Sequence, residues 1–343
     1  HGIVNNTKLQ PRRLSPDWYW YRHDIKATPL YDVAKAAGMT TAAFLWPVTA
    51  GSQIDYNLAE IFPNRIWTNQ VAVSLKASSP CFLLQMNHRY GKLRHGIKQP
   101  WLDDFVTVCA VDTLKNKRPD LTLIHLVDMD SMRHRYGVRS AQAKQALQRL
   151  DGRVARIIRA TKDAGTFDDT NFVVLGDHYQ INVDKMIHLN MLFAQHGWLT
   201  PLAGKTTYRN NWQVTAKTCD GETYVYTRGN VNLGQLKQLI AGVEGVEHIY
   251  DGAEAIKRGA DPKCSFLVEA KPGYYFTDEV NRPAIVEEVD PATIGTHDWY
   301  RGVHGYGPTQ AGYYTTAVFA GPAIQPGNEV EHANLVDEGP TFA

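Results

Sequence analysis

The chain has 343 residues, 43% hydrophobic and 21% charged, a globular composition with enough apolar residues for one large core or two smaller ones. Its 36 Lys and Arg nearly balance 35 Asp and Glu, so no overall basic field points to nucleic acid or an anionic membrane surface. No apolar run reaches transmembrane length, no stretch of these residues reads as a secretory leader, and Cys81, Cys109, Cys219 and Cys264 lie far apart without a CxxC pair, as free thiols do.

In chain order, "PLYDVAKAAG" reads as a helix ending at Gly38, and "TTAAFLWP" (Thr40 to Pro47) as a buried strand. The basic stretch "NHRYGKLRHG" (Asn87 to Gly96) reads as a solvated loop, with contact to an anionic substrate as the alternative. A helix starts at Pro100 and stops before Pro119. The run "LTLIHLVDMD" then predicts a buried strand ending at Asp130. Ser140 can cap a further helix whose apolar positions Ala143, Leu147, Leu150, Val154, Ile157 and Ile158 follow three-four spacing. "NFVVLGDH" predicts a third buried strand, closed by Asp177 and His178. Strands alternating with helices argue an α/β protein with a mainly parallel sheet covered on both faces.

After about residue 200 the texture changes. Alternation around Asp220-Gly221 predicts a hairpin, "LGQLKQLIAGVEGVEHIY" a short helix and strand, and "CSFLVEAKPGYYFTD" a strand pair around Pro272-Gly273. This reads as a smaller inserted lobe over residues 201–290, with residues 1–200 and 291–343 forming the α/β core; the core texture resumes at "TTAVFAGP".

Open α/β sheets bind ligands beyond the carboxyl ends of their strands. Two predicted strands end in metal-ligand types: Asp130 with His134, and Asp177 with His178. His304, in the glycine-rich "RGVHGYGP", is a third candidate. Asp130 and His134 are four apart, so a helical turn after the strand sets them on one face. Asp128 falls deeper in the predicted strand, where a buried carboxylate is more often a supporting hydrogen-bonder than a ligand. Alone, an Asp-x-x-x-His pair is equally a salt bridge on a solvated helix turn; the placement at two strand ends and one loop is what points to a metal site. Carboxylate and imidazole donors suit zinc, with manganese or iron as alternatives.

Four stretches together resemble the type I phosphodiesterase and nucleotide pyrophosphatase branch of the alkaline phosphatase superfamily. "HGIVNN" (His1 to Asn6) resembles the segment after the family nucleophile, "DSMRHRYG" its Asp-x-x-Gly-His-x-x-Gly motif, "VVLGDHYQ" its Ser-Asp-His-Gly-Met strand end, and "HGYGP" its late His-Gly-Tyr motif. "FLWPVTAG" and the terminal "LVDEGPTFA" are weaker echoes. The resemblance implies an alkaline phosphatase-like three-layer sandwich with a mainly parallel central sheet and a smaller inserted α+β lobe. It implies two divalent metal ions, zinc or else manganese. Asp130, His134 and His304 would hold one, Asp177 and His178 the other, and Asn6 would donate to a phosphate oxygen. The implied chemistry is hydrolysis of phosphodiester or pyrophosphate bonds through a phospho-Thr or phospho-Ser intermediate. The implied partner is a small phosphorylated substrate.

In the family pattern the nucleophile and one aspartate ligand precede "HGI". The expectation is therefore a chain trimmed at both ends, whose 343 residues alone turn nothing over. Three departures matter. Arg133 stands where the family has glycine before the motif histidine, and Tyr179-Gln180 stands for Gly-Met. His125 stands where nucleotide-cleaving members carry a base-stacking tyrosine, so His125 and Tyr179 are the candidate substrate contacts beside Asn6. The alternatives to a phosphodiesterase are a degenerate member that binds metal or phosphate without turnover, and a phosphonate hydrolase of the same superfamily. Compartment and oligomeric state are not legible.

Overall fold

Three short strands run parallel at the centre of the first half of the computed structural model, which describes residues 1–65, 67–296 and 299–342. Helix α1 (Leu30–Ala36) leads into β1 (Thr41–Phe44), which is buried throughout; β2 (Tyr56–Leu58) follows. The chain then crosses over through α2 (Gln70–Ala77), α3 (Pro80–Tyr90) and α4 (Trp101–Asn116) before β3 (Leu121–Ile124) returns to the other edge of β1. The order β2-β1-β3, parallel throughout, needs such crossovers, since parallel neighbours cannot be joined by a tight turn. Asn69 caps α2 by accepting from the Val71 and Ala72 N–H groups, and Pro80 opens α3, where its missing N–H costs nothing. Phe44, Leu58, Met86, Phe105, Val106 and Cys109 make the core between this sheet and α3 and α4.

Helix α5 (Asp128–Tyr136) follows β3 after a short connection, then α6 (Ala141–Ala164), whose cap Ser140 accepts from the Ala143 N–H. Strand β4 (Phe172–Leu175), β5 (Ile181–Ile187) and α7 (Leu189–Gln195) complete the first 200 residues. Next come the hairpin β6 (Val214–Cys219) and β7 (Glu222–Thr227), α8 (Leu233–Ala241), β8 (Val246–Asp251), α9 (Gly252–Lys257), β9 (Phe266–Ala270), β10 (Gly273–Phe276) and β11 (Val286–Glu288). Strands β12 (Gly302–Val303) and β13 (Ala317–Ala320) and helix α10 (Glu338–Phe342) end the described chain.

An antiparallel sheet of order β6-β7-β9-β8 forms one layer of the second half. Its inner face packs with α7, α8 and β5 around Ile187, Phe193, Val214, Leu236 and Phe276, all nearly inaccessible. Truncating such a side chain to alanine typically costs about 2–5 kcal/mol. Strand β5 pairs parallel with β10 and antiparallel with β11 and β12. So β10 and β11, which fall within 201–290, hydrogen-bond to a strand from the first 200 residues.

Several local expectations are corrected. The strand predicted to run to Asp130 ends at Ile124, and both Asp128 and Asp130 lie in the first turn of α5. There a carboxylate is favoured by the helix dipole, and Asp103 of α4 accepts from the Val127 and Asp128 N–H groups at 3.1 and 2.9 Å, starting the helix early. Strands β9 and β10 do not pair with each other, because β7 and β8 already occupy both edges of β9. Strand β4 is half-exposed and pairs antiparallel with β13, not within the parallel sheet. On α6 the buried positions are Ala143, Ala146, Arg153, Ala160, Thr161 and Ala164, with Leu147 exposed, because Arg153 turns inward toward buried aspartates. The basic stretch from Asn87 is helical to Tyr90 and runs on as a 3-10 turn, not a loop. Its Arg89 pairs with Asp112 at 2.7 Å and Arg94 lies over Phe105. All four cysteines are free thiols.

Candidate metal centre

The carboxyl ends of β1, β2 and β3 lie at one edge, where α5 begins. Asp130 and His134 are one turn apart on α5, and His134 Nε2 lies 3.3 Å from Asp130 Oδ1. The third member arrives through β12. Its pairing with β5 sets Val303 opposite Ile181, so His304 follows beside the residues that precede β5. One donor atom each from Asp130, His134 and His304 lie within 4.8 Å of one another. The His304 ring is 5.2 Å from that of His134 and stacks on that of His178 at 4.0 Å. Asp177 Oδ2 is 3.4 Å from His178 Nε2, and its side chain faces solvent.

The donor groups are fixed by hydrogen bonds. His134 Nδ1–H donates to the Gly302 carbonyl at 2.7 Å; burial works against its protonation, but the hydrogen bond and charge of Asp130 outweigh burial and raise it, so Nε2–H faces Asp130 and a cation binding there would displace that proton. Gln180 Nε2 donates to Asp130 Oδ1 at 2.5 Å. Burial works against ionising Asp130. The hydrogen bond and charge of His134, with the charges of His304 and His178, nevertheless hold its carboxyl well below the usual range. Burial and then the neighbouring His178 and His134 push His304 down to about 3, so its imidazole is neutral at pH 7. An ionised carboxylate and two imidazoles are a fitting donor set for zinc. The same cluster answers the question raised by the Asp-x-x-x-His spacing: it is not a solvated surface pair.

Around these donors the fold is closed tightly. Asp128 is fully buried and accepts from Arg149 Nε and Nη2 at 2.7 and 3.0 Å and from Arg153 Nη1 at 2.9 Å. Tyr300 packs on His134 with ring centres 4.3 Å apart. The tip of the β6–β7 hairpin abuts the His304 loop, with the Gly221 N–H donating to the His304 carbonyl at 2.9 Å. Gly305 has φ +79, and a Cβ there would stand 1.8 Å from the Cys219 carbonyl oxygen, so no other residue fits.

Of the remaining sequence candidates, His125 pairs its Nδ1 with the Leu45 carbonyl at 3.1 Å, just past the ends of β3 and β1. Tyr179 lies under the Arg133 guanidinium at 4.9 Å. Asn6 is exposed. Its neighbour Asn5 ties the first segment down, donating to the Thr218 carbonyl at 2.7 Å beside the hairpin tip. Two acids were missed. Asp220 read only as a turn residue, yet burial pushes its carboxyl up to about 6, His134 pulling it down and Asp130 raising it. Glu60 lies two residues past β2, half-buried and raised by burial, with His125 lowering it and Asp130 and Asp177 raising it further. The strand-end rule would have found Glu60 had the three-residue β2 been recognised; nothing local marks Asp220.

Human ectonucleotide pyrophosphatase/phosphodiesterase family member 1 is 25% identical over 205 residues, covering 55% of this chain and 18% of its own length. The mouse protein of the same name is 21% identical over 203 residues. The chain thus spans about a fifth of the length of these curated relatives. Among solved structures, human ectonucleotide pyrophosphatase/phosphodiesterase 5 aligns with a TM-score of 0.58 at 16% identity, covering 92% of this chain and 69% of that one. Phosphonoacetate hydrolase from Sinorhizobium meliloti 1021, solved with phosphonoacetate, gives 0.59 at 13%, covering 93% and 74%. These likenesses show a shared α/β fold with a parallel sheet. The sequence also matches the type I phosphodiesterase / nucleotide pyrophosphatase family over residues 1–307. Matched over most of its length, with its acid and imidazole groups gathered at the sheet edge, the chain belongs to the type I phosphodiesterase / nucleotide pyrophosphatase family.

Proposed function

We propose that this chain carries the hydrolytic centre of an enzyme that cleaves phosphodiester or pyrophosphate bonds in small phosphorylated substrates. Asp130, His134 and His304 hold one divalent cation, and Asp177 and His178 contribute to a second. The convergence of three donor atoms within 4.8 Å carries the reading. Zinc suits two imidazoles and a carboxylate best, manganese next. Bound there, such cations supply positive charge against the oxygens of a phosphoryl group undergoing in-line displacement.

The protein's own groups do the rest. Gln180 fixes the Asp130 carboxylate, and the Gly302 carbonyl fixes the His134 tautomer. Asn6 hydrogen-bonds a phosphate oxygen from the first segment. His125 and Tyr179 face the substrate, and the lobe over 201–290 walls the leaving-group side.

Zinc titrated into the chain and followed by calorimetry with metal analysis should show a tight site that His304→Ala removes. Zinc uptake indifferent to His304→Ala and to Asp130→Asn would overturn the reading. The zinc-loaded protein is then screened against nucleotide diesters, lipid-type diesters, phosphomonoesters and phosphonates. Turnover by these residues identifies the substrate class; if they bind phosphate without turnover, the same screen on the full-length parent separates an enzyme, which turns one class over, from a non-catalytic member, which turns over none.

A further inference from the structure

Arg133 occupies a position the metal site does not explain. It lies on α5 three residues after Asp130, on the Asp130 side of the helix. Asp130 is among the charges its guanidinium feels. Yet among the described residues no carboxylate oxygen lies within 4.0 Å of it, and its Nε is enclosed without a hydrogen-bond partner. What holds the side chain is the Tyr179 ring, 4.9 Å from the guanidinium carbon.

The contrast with α6 is informative. The half-buried Arg149 and the buried Arg153 brace the fold by donating to Asp128 and Asp104. Arg133 has five N–H donors and spends none of them on a protein acceptor among the described residues. A planar cation fixed from one face by an aromatic ring, with its donors left over, matches an oxyanion bidentately. The two residues in contact, Arg133 and Tyr179, are also both departures from the family pattern, which has glycine at each place. They make sense as a pair: the ring without the cation has nothing to stack, and the cation without the ring has nothing to hold it.

We infer that Arg133, held by Tyr179, is a specificity-determining subsite for a second oxyanion on the substrate, a carboxylate or a second phosphoryl group beside the phosphorus group at the metal centre. The inference rests on the proposed phosphorus-ester site, and it narrows that site's substrates to compounds with two anionic groups a few bonds apart.

The test compares affinities of the zinc-loaded chain for methylphosphonate, phosphonoacetate and methylenediphosphonate, with zinc content measured after each titration. Both dianionic probes should bind roughly tenfold tighter than methylphosphonate, the size of one charge-assisted hydrogen bond. The tighter of the two identifies the second group as carboxylate or phosphoryl. Arg133→Gln should erase the advantage and leave methylphosphonate affinity unchanged. Arg133→Lys should keep part of it, Tyr179→Phe should keep it, and Tyr179→Gly should reduce it. Equal binding of all three probes to the wild-type chain overturns the inference, as does an Arg133→Gln loss that is the same for all three. A chain that takes up no zinc and binds none of the probes overturns the proposed hydrolytic site, and this inference with it.

Discussion

Asp128 and Asp130 are two residues apart on one helix turn and have opposite fates. Asp128 is inaccessible, with three hydrogen bonds from two arginines that reach both its oxygens. Asp130 accepts one amide hydrogen bond and faces two imidazoles, one of which burial keeps neutral. The first is a closed network: a carboxylate whose charge is fully met by the protein. The second is open: it has that amide and the His134 ring beside it and no arginine within 4.0 Å among the described residues. Both aspartates sit in the first turn of α5, so their partners, and not their place on the helix, separate a structural acid from the proposed ligand.

The comparison breaks most visibly on the closed side. Arg153→Met takes one of the three hydrogen bonds from Asp128 and the nearby cation from Asp103, leaving Asp128 to Arg149 alone, and should lower stability by about 1–3 kcal/mol, read from the denaturant midpoint at constant slope. A loss below about 1 kcal/mol would mean that the network is better solvated than its geometry implies. On the open side the pattern inverts. Asp130→Asn loses the pairing with His134 that holds its carboxyl low and should cost the metal-free fold about 1 kcal/mol, no more than Arg153→Met does. It should nevertheless abolish tight zinc binding, while Gln180→Ala, which only frees the carboxylate to rotate, should weaken zinc by about 10- to 100-fold. Unchanged zinc affinity in Gln180→Ala would show that the Asp130 rotamer is set elsewhere.

His188 lies between these extremes, and its effect is spread over a pH range. It is inaccessible, its Nδ1 is 2.6 Å from the Thr277 hydroxyl oxygen, and its Nε2 has no hydrogen bond although Glu287 is 3.4 Å away. Burial pushes it down to about 4 from 6.5, Glu287 opposing and Arg282 assisting. A histidine depressed in the folded state binds its proton more readily when unfolded. Its stabilising contribution is therefore full above pH 6.5 and falls as the pH drops toward 4. Denaturation at stepped pH should lose on the order of 1 kcal/mol per pH unit through that window, and His188→Gln should flatten the slope. An unchanged slope would assign the acid sensitivity to other groups.

Much of the fold was legible. The helix ending near Gly38, the Ser140 cap and the Asp220-Gly221 hairpin follow from local pattern and form where that pattern put them, and the strand expected over Thr40–Pro47 forms over its first half, Thr41–Phe44. The four-residue step from Asp130 to His134 also carried through, because it depends only on helix geometry. What escaped was tertiary. The early start of α5 depends on Asp103, some 25 residues back on another helix, accepting two of its first N–H groups. Strand β10 leaves its sequence neighbour because both edges of β9 are taken. Asp220 comes near His134 because its hairpin tip docks on the distant His304 loop, and Glu60 because it follows a strand too short to read from sequence.

The seating of the β6–β7 hairpin on the His304 loop has a further consequence. The register runs without slip from Val214↔Thr227 to Cys219↔Glu222, and its two-residue tip touches the His304 carbonyl. The hairpin therefore works as a gauge, its length setting how far His304 stands from the helix that carries Asp130 and His134. One residue added to either arm would turn Asp220 to the opposite face and lift the tip by about 3.3 Å, more than the spread a small cation tolerates among its donors. Residues added in the loops at the far end of the hairpin would leave that contact in place.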